Sequence, residues 1–133
     1  MAIKWTSDLS VGVEYIDSQH KLLFEKANDL FEAGKNRKSK EVIAEMLNFL
    51  DEYTKQHFRD EEAYMAKINY PDLEQHKKLH KDFIAEISKL RQEYQQSGGN
   101  IVLIINANHL VSNWLTKHIS TMDKKIGLYV KSL

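Results

Sequence analysis

Two pairs of side chains in this sequence combine residue types and a spacing that suit metal binding. His57 precedes Glu61 by four residues, and His76 precedes His80 by the same interval. On an α-helix this interval leaves two side chains about 40° apart, so each pair aims both of its groups at one point. Imidazole nitrogens and carboxylate oxygens are ligands for divalent transition metals. The two pairs are therefore candidate metal ligands.

Six polar side chains occupy positions where the surrounding apolar pattern calls for Leu or Phe. Burying one unpaired polar group costs roughly 2–7 kcal/mol, and a small domain is stable by only about 5–15 kcal/mol. A single inward histidine is more often a hydrogen-bonded core residue than a ligand. Here, however, six groups come from four helical segments, and a bound cation would compensate them together. These candidate ligands are His20, His57, Glu61, His76, His80 and His118.

The remaining histidine tests this interpretation. His109 precedes His118 by nine residues, which corresponds to about 180° around the same helix. We therefore expect His109 to face away from the cluster, on the surface or at the flank of the helix.

The elements that would position these residues are four helices. Apolar residues recur every three or four positions from Asp17 onwards, with breaks at residues 34–38, 68–70 and 97–100. Ser39 is a predicted N-cap, and Pro71 is placed in the first turn of the third helix. The pattern predicts an all-α fold, an up-down-up-down four-helix bundle with an N-terminal arm. We assign residues 1–133 to one domain, with the arm at 1–16, the bundle at 17–127 and a tail at 128–133.

Composition excludes several classes of function. Of the 133 residues, 19 are Lys or Arg and 19 are Asp or Glu, so the formal net charge is zero, whereas nucleic-acid and membrane-surface binders need a surplus of basic charge. The absence of cysteine excludes disulfides, thiolate catalysis and iron–sulfur clusters. Because the chain opens without a signal peptide, we expect a cytoplasmic location. We also expect a monomer, and the balanced charge predicts that it binds neither nucleic acid nor membrane.

The order of the candidate ligands resembles that of the bacterial hemerythrins, a family of oxygen-binding, non-haem diiron proteins. The family pattern has one His on the first helix, HxxxE on the second, HxxxH on the third and HxxxxD on the fourth. The matching residues here are His20, His57–Glu61, His76–His80 and His118–Asp123. Only the resemblance assigns Asp123, because five residues after His118 corresponds to about 140° around an ideal helix. Asp123 can join the site only if the helix bends, carries a π-type turn or gives way to a loop.

The resemblance implies a cofactor of two iron ions, Fe²⁺ or Fe³⁺, with a bridging oxo or hydroxo group. Glu61 and Asp123 would bridge the ions, His20 and His57 would hold one iron, and the other would be held by His76, His80 and His118. Counting bonds then leaves one free position, on the iron held by two histidines, where dioxygen would bind. The expected oxygen pocket includes Leu115, one turn before His118, with Phe24, Phe58 and Ile119 as weaker candidates.

We therefore expect reversible dioxygen binding for storage, transport or delivery, and no enzymatic activity. Oxygen-activating diiron enzymes of the ferritin-like kind use Glu-x-x-His motifs on two helices, and the sequence contains no such motif. Three alternatives remain open. The chain could be an oxygen or redox sensor that acts through a separate partner, or a diiron oxidoreductase. It could also hold iron or zinc in a storage site or a structural site. The protein that receives the oxygen is not identifiable from the sequence.

Overall fold

Helices make up most of the chain in the computed structural model, which describes residues 4–133. A 3-10 turn at Ser7–Leu9 comes first, and a π-helical segment at Ile119–Asp123 joins the last two helices. No strand occurs within residues 4–133. The α-helices are α1 (Glu14–Lys35), α2 (Lys40–Lys67), α3 (Leu73–Gln96), α4 (Ile101–His118) and α5 (Lys124–Ser132).

The first four helices form a four-helix bundle, as the sequence predicts. Both α1 and α3 pack against α2 and α4, so the four helices close into a ring. Each helix turns an apolar stripe inwards, and Leu23, Leu47, Phe83 and Val111 are examples of the resulting core. None of the helices in the described part of the chain is long and apolar enough to cross a bilayer.

The helix boundaries follow local capping chemistry. Ser39 caps α2 as predicted, because its side chain accepts a hydrogen bond from the Val42 N–H at 3.3 Å. Pro71, however, lies before α3 and not in its first turn. The carbonyl of Tyr70 accepts from the Leu73 N–H at 3.3 Å, which closes a separate turn around the proline. α3 therefore begins only at Leu73.

The N-terminal arm is shorter than predicted. α1 begins at Glu14, inside residues 1–16, because the Val13 carbonyl already accepts a hydrogen bond from the Asp17 N–H at 2.9 Å. The Asp17 carboxylate also accepts from the Val11 N–H at 2.9 Å, which ties the arm to the start of the helix. The first three residues of the predicted arm lie outside the described residues.

The predicted tail is helical. Residues 128–133 extend α5, which runs to Ser132. The Tyr129 hydroxyl donates to the carbonyls of Ile68 and Asn69, 3.1 Å from each, and Ile126 is completely buried. These contacts hold α5 against the α2–α3 connection, so the end of the chain packs on the bundle.

Candidate metal centre

All seven predicted ligands meet in one buried cluster inside the bundle. The four bundle helices and the π-helical segment each contribute at least one of them, and none is more than 5% exposed. The members of this seven-residue cluster are His20, His57, Glu61, His76, His80, His118 and Asp123.

The carboxylate of Glu61 faces two groups of imidazoles. Its Oε1 atom lies 3.1 Å from His76 Nε2 and 3.2 Å from His80 Nε2. Its Oε2 atom lies 3.4 Å from His20 Nε2 and 3.3 Å from His57 Nε2. Each oxygen thus serves a different group, as it would in a ligand that bridges two ions.

Asp123 repeats this division from the opposite end of the chain. Its Oδ1 atom lies 2.9 Å from His76 Nε2 and 3.0 Å from His118 Nε2, whereas Oδ2 lies 3.0 Å from His20 Nε2. The Nε2 atom of His118 is also 3.2 Å from that of His80. One group therefore contains three imidazoles, and the other contains two.

The π-helical segment is what brings Asp123 to the cluster. A π-turn uses i→i+5 hydrogen bonds, so it holds one residue more than an α-turn, and residues five apart share a face. Residues Ile119–Asp123 adopt this conformation directly after His118. The hydroxyls of Ser120 and Thr121 donate to the Lys117 carbonyl, at 3.2 and 2.6 Å, where the helical hydrogen-bond pattern changes. A bend, a π-type turn or a loop could each have brought Asp123 to the site, and the structure has the π-type turn.

Several polar atoms of the cluster have no hydrogen-bond partner among residues 4–133. They are both carboxylate oxygens of Glu61 and of Asp123, both ring nitrogens of His20 and the Nδ1 atom of His76. Buried polar atoms are costly unless something compensates them. One divalent cation in each group would compensate the atoms that face the cluster, because the five donors of one group, and the four of the other, lie within 4.8 Å of one another. The residues therefore fit a dinuclear metal centre.

The surrounding imidazoles keep both carboxylates ionised. Burial raises the pKa of Glu61, but the four nearest histidines outweigh burial and hold that pKa well below its ordinary value. Burial and Glu61 raise the pKa of Asp123, yet the charge of His118 and the close ring nitrogens of His118 and His20 lower it below its ordinary value. Two negative charges are thus enclosed in an otherwise apolar core, where they attract a cation.

Protons and metal ions compete for the same imidazole nitrogens. Burial lowers the pKa of His20 and of His76, but Asp123 and Glu61 outweigh burial and raise both pKa values to about 9. Burial lowers the pKa of His118. Because a metal binds the neutral imidazole, loading the cluster releases protons from its most basic histidines.

Two side chains that sequence reasoning missed contact the outer nitrogens of the histidine rings. His57 Nδ1 lies 2.6 Å from Gln19 Oε1, and His80 Nδ1 lies 2.9 Å from Glu62 Oε2. Both partner atoms accept, so each Nδ1 donates and Nε2 is left to face the cluster. Gln19 and Glu62 are sequence neighbours of predicted ligands, but neither continues an apolar stripe, so periodicity does not single them out.

The predicted pocket residues are all buried in the main core. Leu115, Ile119, Phe24 and Phe58 have exposed fractions of 2% or less. The Phe58 ring stacks on the His80 ring with centroids 3.7 Å apart, whereas its centroid lies 5.7 Å from that of His57. Phe58 thus covers mainly the three-imidazole group.

The outer side of the three-imidazole group is covered by stacked aromatic rings. Trp114 stacks on His118 with centroids 4.1 Å apart and on Phe83 with centroids 3.9 Å apart. His109, five residues before Trp114, is exposed, which confirms that it does not join the cluster.

Comparisons with known proteins identify one family. A family model, the hemerythrin HHE cation binding domain, matches residues 11–128. Bacteriohemerythrin of Pseudomonas aeruginosa (strain LESB58) is 36% identical over 119 residues, which cover 90% of this chain and 75% of that protein. Myohemerythrin of Theromyzon tessulatum is 30% identical over 122 residues, with coverages of 92% and 88%. A crystal structure of wild-type hemerythrin matches with a TM-score of 0.86 at 27% identity, over 96% of this chain and 97% of that one.

These similarities extend over nearly the whole described chain. They confirm the four-helix architecture and the resemblance to hemerythrins that the ligand motifs indicated. The family binds a diiron centre, and the seven-residue cluster could hold the two ions. The chain therefore belongs to the hemerythrin family of diiron oxygen-binding proteins.

Proposed function

We propose that this chain binds dioxygen reversibly at a diiron centre held by the seven-residue cluster, and that it stores, transports or delivers oxygen. The observation that carries the proposal is the unequal division of the donors. One group has five donor residues and the other has four, because Glu61 and Asp123 belong to both. The group with His20 and His57 is one donor short of its neighbour. We therefore propose that dioxygen binds at the ion held by His20 and His57.

The composition of the donor set supports a carrier in preference to an enzyme. The cluster contains five imidazoles and two carboxylates, whereas the oxygen-activating sites of ferritin-like proteins are rich in carboxylates. When bound, two iron ions would supply the electrons that dioxygen takes up and returns. The burial of every donor keeps bulk water away from the site, which slows side reactions. Glu61 and Asp123 would contribute two negative charges to the site.

Visible absorption spectroscopy of the aerobically purified protein tests this function. We expect a coloured band that bleaches when the solution is sparged with argon and returns when air is readmitted. The metal-free protein, taken through the same cycle, is the control. A band that appears once and never reverses would contradict a carrier and favour a sensor or an oxidoreductase. A colourless protein would mean that the site does not hold iron.

Leu115 is proposed to line the oxygen pocket. Leu115 precedes His118 by three residues and is 2% exposed, so Leu115→Tyr would bring a hydroxyl and extra volume beside the site. We expect the rate of oxygen release or of autoxidation to change by about tenfold, as is typical of groups next to a metal site, with both irons retained. Stopped-flow spectroscopy and iron analysis measure these quantities.

Leu30→Tyr is the matched control for Leu115→Tyr. Leu30 is equally buried but lies ten residues after His20 on α1, about 15 Å along the helix. Both substitutions overfill the core and are expected to lower the free energy of unfolding by about 1–3 kcal/mol. Only Leu115→Tyr should alter the oxygen kinetics. Equal kinetics in the two variants would remove Leu115 from the pocket.

The expectations about the protein's surroundings stay predictions. They are a monomeric state, a cytoplasmic location and an unidentified oxygen-consuming recipient.

A further inference from the structure

The orientation of His57 depends on the amide of Gln19. His57 Nδ1 lies 2.6 Å from Gln19 Oε1, and the exposed fractions of the two residues are only 1% and 6%. A carbonyl oxygen accepts but cannot donate, so the Nδ1 atom of His57 must carry a proton. In the neutral ring the Nε2 atom is then unprotonated, and it faces Glu61 Oε2 at 3.3 Å. This is the tautomer that can bind a metal through Nε2.

An amide alone does not determine this tautomer. Rotating the Gln19 amide by half a turn would exchange its oxygen and nitrogen. The NH₂ group would then face His57 and would demand a lone pair on Nδ1. The proton would move to Nε2, where it would block the metal.

Asp60 selects one of the two orientations of the Gln19 amide. Asp60 Oδ2 lies 2.9 Å from Gln19 Nε2 and accepts a second hydrogen bond from the Tyr15 hydroxyl, also at 2.9 Å. An ionised carboxylate only accepts, so the NH₂ group of Gln19 must point towards Asp60 and its oxygen towards His57. Tyr15 is 57% exposed. The hydrogen-bonded chain therefore runs from the surface of the protein to a buried imidazole.

We propose that Asp60 is a positioning residue that sets the tautomer of His57 through Gln19 and so prepares Nε2 to bind iron. The proposal rests on the proposed diiron site and adds two residues to it. His80 differs, because Glu62 contacts its Nδ1 directly at 2.9 Å. A carboxylate thus orients a histidine directly in the three-imidazole group and through an amide in the two-imidazole group.

Iron release from the loaded, reduced protein under argon tests the proposal. An excess of an Fe²⁺ chelator measures the release rate, and proton NMR detects the exchangeable histidine N–H groups. Gln19→Met keeps the size of the side chain but removes the acceptor, and should speed release by about ten- to a hundredfold. The N–H resonance of His57 Nδ1 should also disappear, because without its acceptor this proton exchanges faster with water. Asp60→Ala should speed release by about fivefold, the effect of one ordinary hydrogen bond, and shift that same resonance.

A double variant separates positioning from packing. Gln19→Glu together with Asp60→Asn exchanges the chemistry of the two residues, since the carboxylate can accept from both His57 and the new amide. We expect release within about twofold of the wild-type rate, well below the ten- to hundredfold increase expected for Gln19→Met. Asp82→Ala removes an exposed carboxylate on α3 and serves as the control for lost charge, with no change expected.

The outcomes separate this proposal from the proposed function. Wild-type release rates and N–H resonances in Gln19→Met and Asp60→Ala would overturn it, as would a double variant that loses iron as fast as Gln19→Met. If Gln19→Met does not fold, the half-buried Asp60 position and the double variant decide the matter. Dioxygen is absent throughout, so a failure of reversible oxygen binding would not change these results.

Discussion

Glu61→Ala is expected to reduce iron content from two ions to fewer than one per chain and to lower the free energy of unfolding by about 3–5 kcal/mol. Glu61 has no exposed surface, and its two oxygens lie 3.1–3.4 Å from the Nε2 atoms of four imidazoles. Removing the carboxylate takes one donor from each ion and leaves those imidazoles uncompensated in the core. Iron analysis and thermal unfolding measure the two effects, which should appear together.

Glu52→Ala is the matched control for this substitution. Glu52 lies on the same helix as Glu61 but is exposed, so its removal should leave the iron content unchanged and alter stability by less than about 0.5 kcal/mol. If Glu61→Ala retained two irons per chain, Glu61 would not be a bridging ligand. If iron were lost without a fall in stability, the cluster would not need the metal as compensation.

Gly127→Ala is expected to destabilise the protein, although alanine is the better helix former. Alanine would normally stabilise the interior of a helix by about 1 kcal/mol relative to glycine. A Cβ atom on Gly127 would, however, lie 1.9 Å from the Val11 carbonyl oxygen and 2.8 Å from its carbon. Both atoms belong to the backbone of the arm, and a rotamer change cannot relieve the clash. We expect a loss of about 1–3 kcal/mol or more, seen as a lower Tm.

The clash at Gly127 cannot be relieved cheaply, because Val11 is itself held in place. Its side chain is 3% exposed, and its N–H donates to the Asp17 carboxylate at 2.9 Å. Gly34→Ala provides the comparison, since its Cβ would meet only the Ile104 side chain at 3.0 Å. That change should alter stability by less than about 1 kcal/mol in either direction. A stabilising effect of Gly127→Ala would show that the arm does not pack against α5 in solution.

The end of the chain shows where sequence periodicity stops being informative. Residues 128–133 were predicted as a tail, because the fourth helix was expected to end at about Gly127. α5 nevertheless continues to Ser132, since Tyr129 finds the carbonyls of Ile68 and Asn69 in the α2–α3 connection. Those acceptors precede Tyr129 by 61 and 60 residues. Local pattern does not encode such a contact.

The sequence by itself determined the four helices and six of the seven clustered donors. A spacing of four residues is a local property of the α-helix, so His57–Glu61 and His76–His80 could be read as pairs before any packing was known. His20 and His118 lie on the apolar stripes of their helices, and this position alone predicted that both face the same core. The tertiary structure has these donors within 4.8 Å of one another in each group.

Only the tertiary structure decided how Asp123 reaches the cluster and what orients the histidines. An ideal helix turns Asp123 away from His118, and the π-helical segment that corrects this is a change in backbone hydrogen bonding that residue spacing does not specify. Gln19 meets His57 and Asp60 across the α1–α2 interface, at sequence separations of 38 and 41. Helical periodicity predicts which face a side chain occupies. Its partner on another helix depends on how the two helices pack.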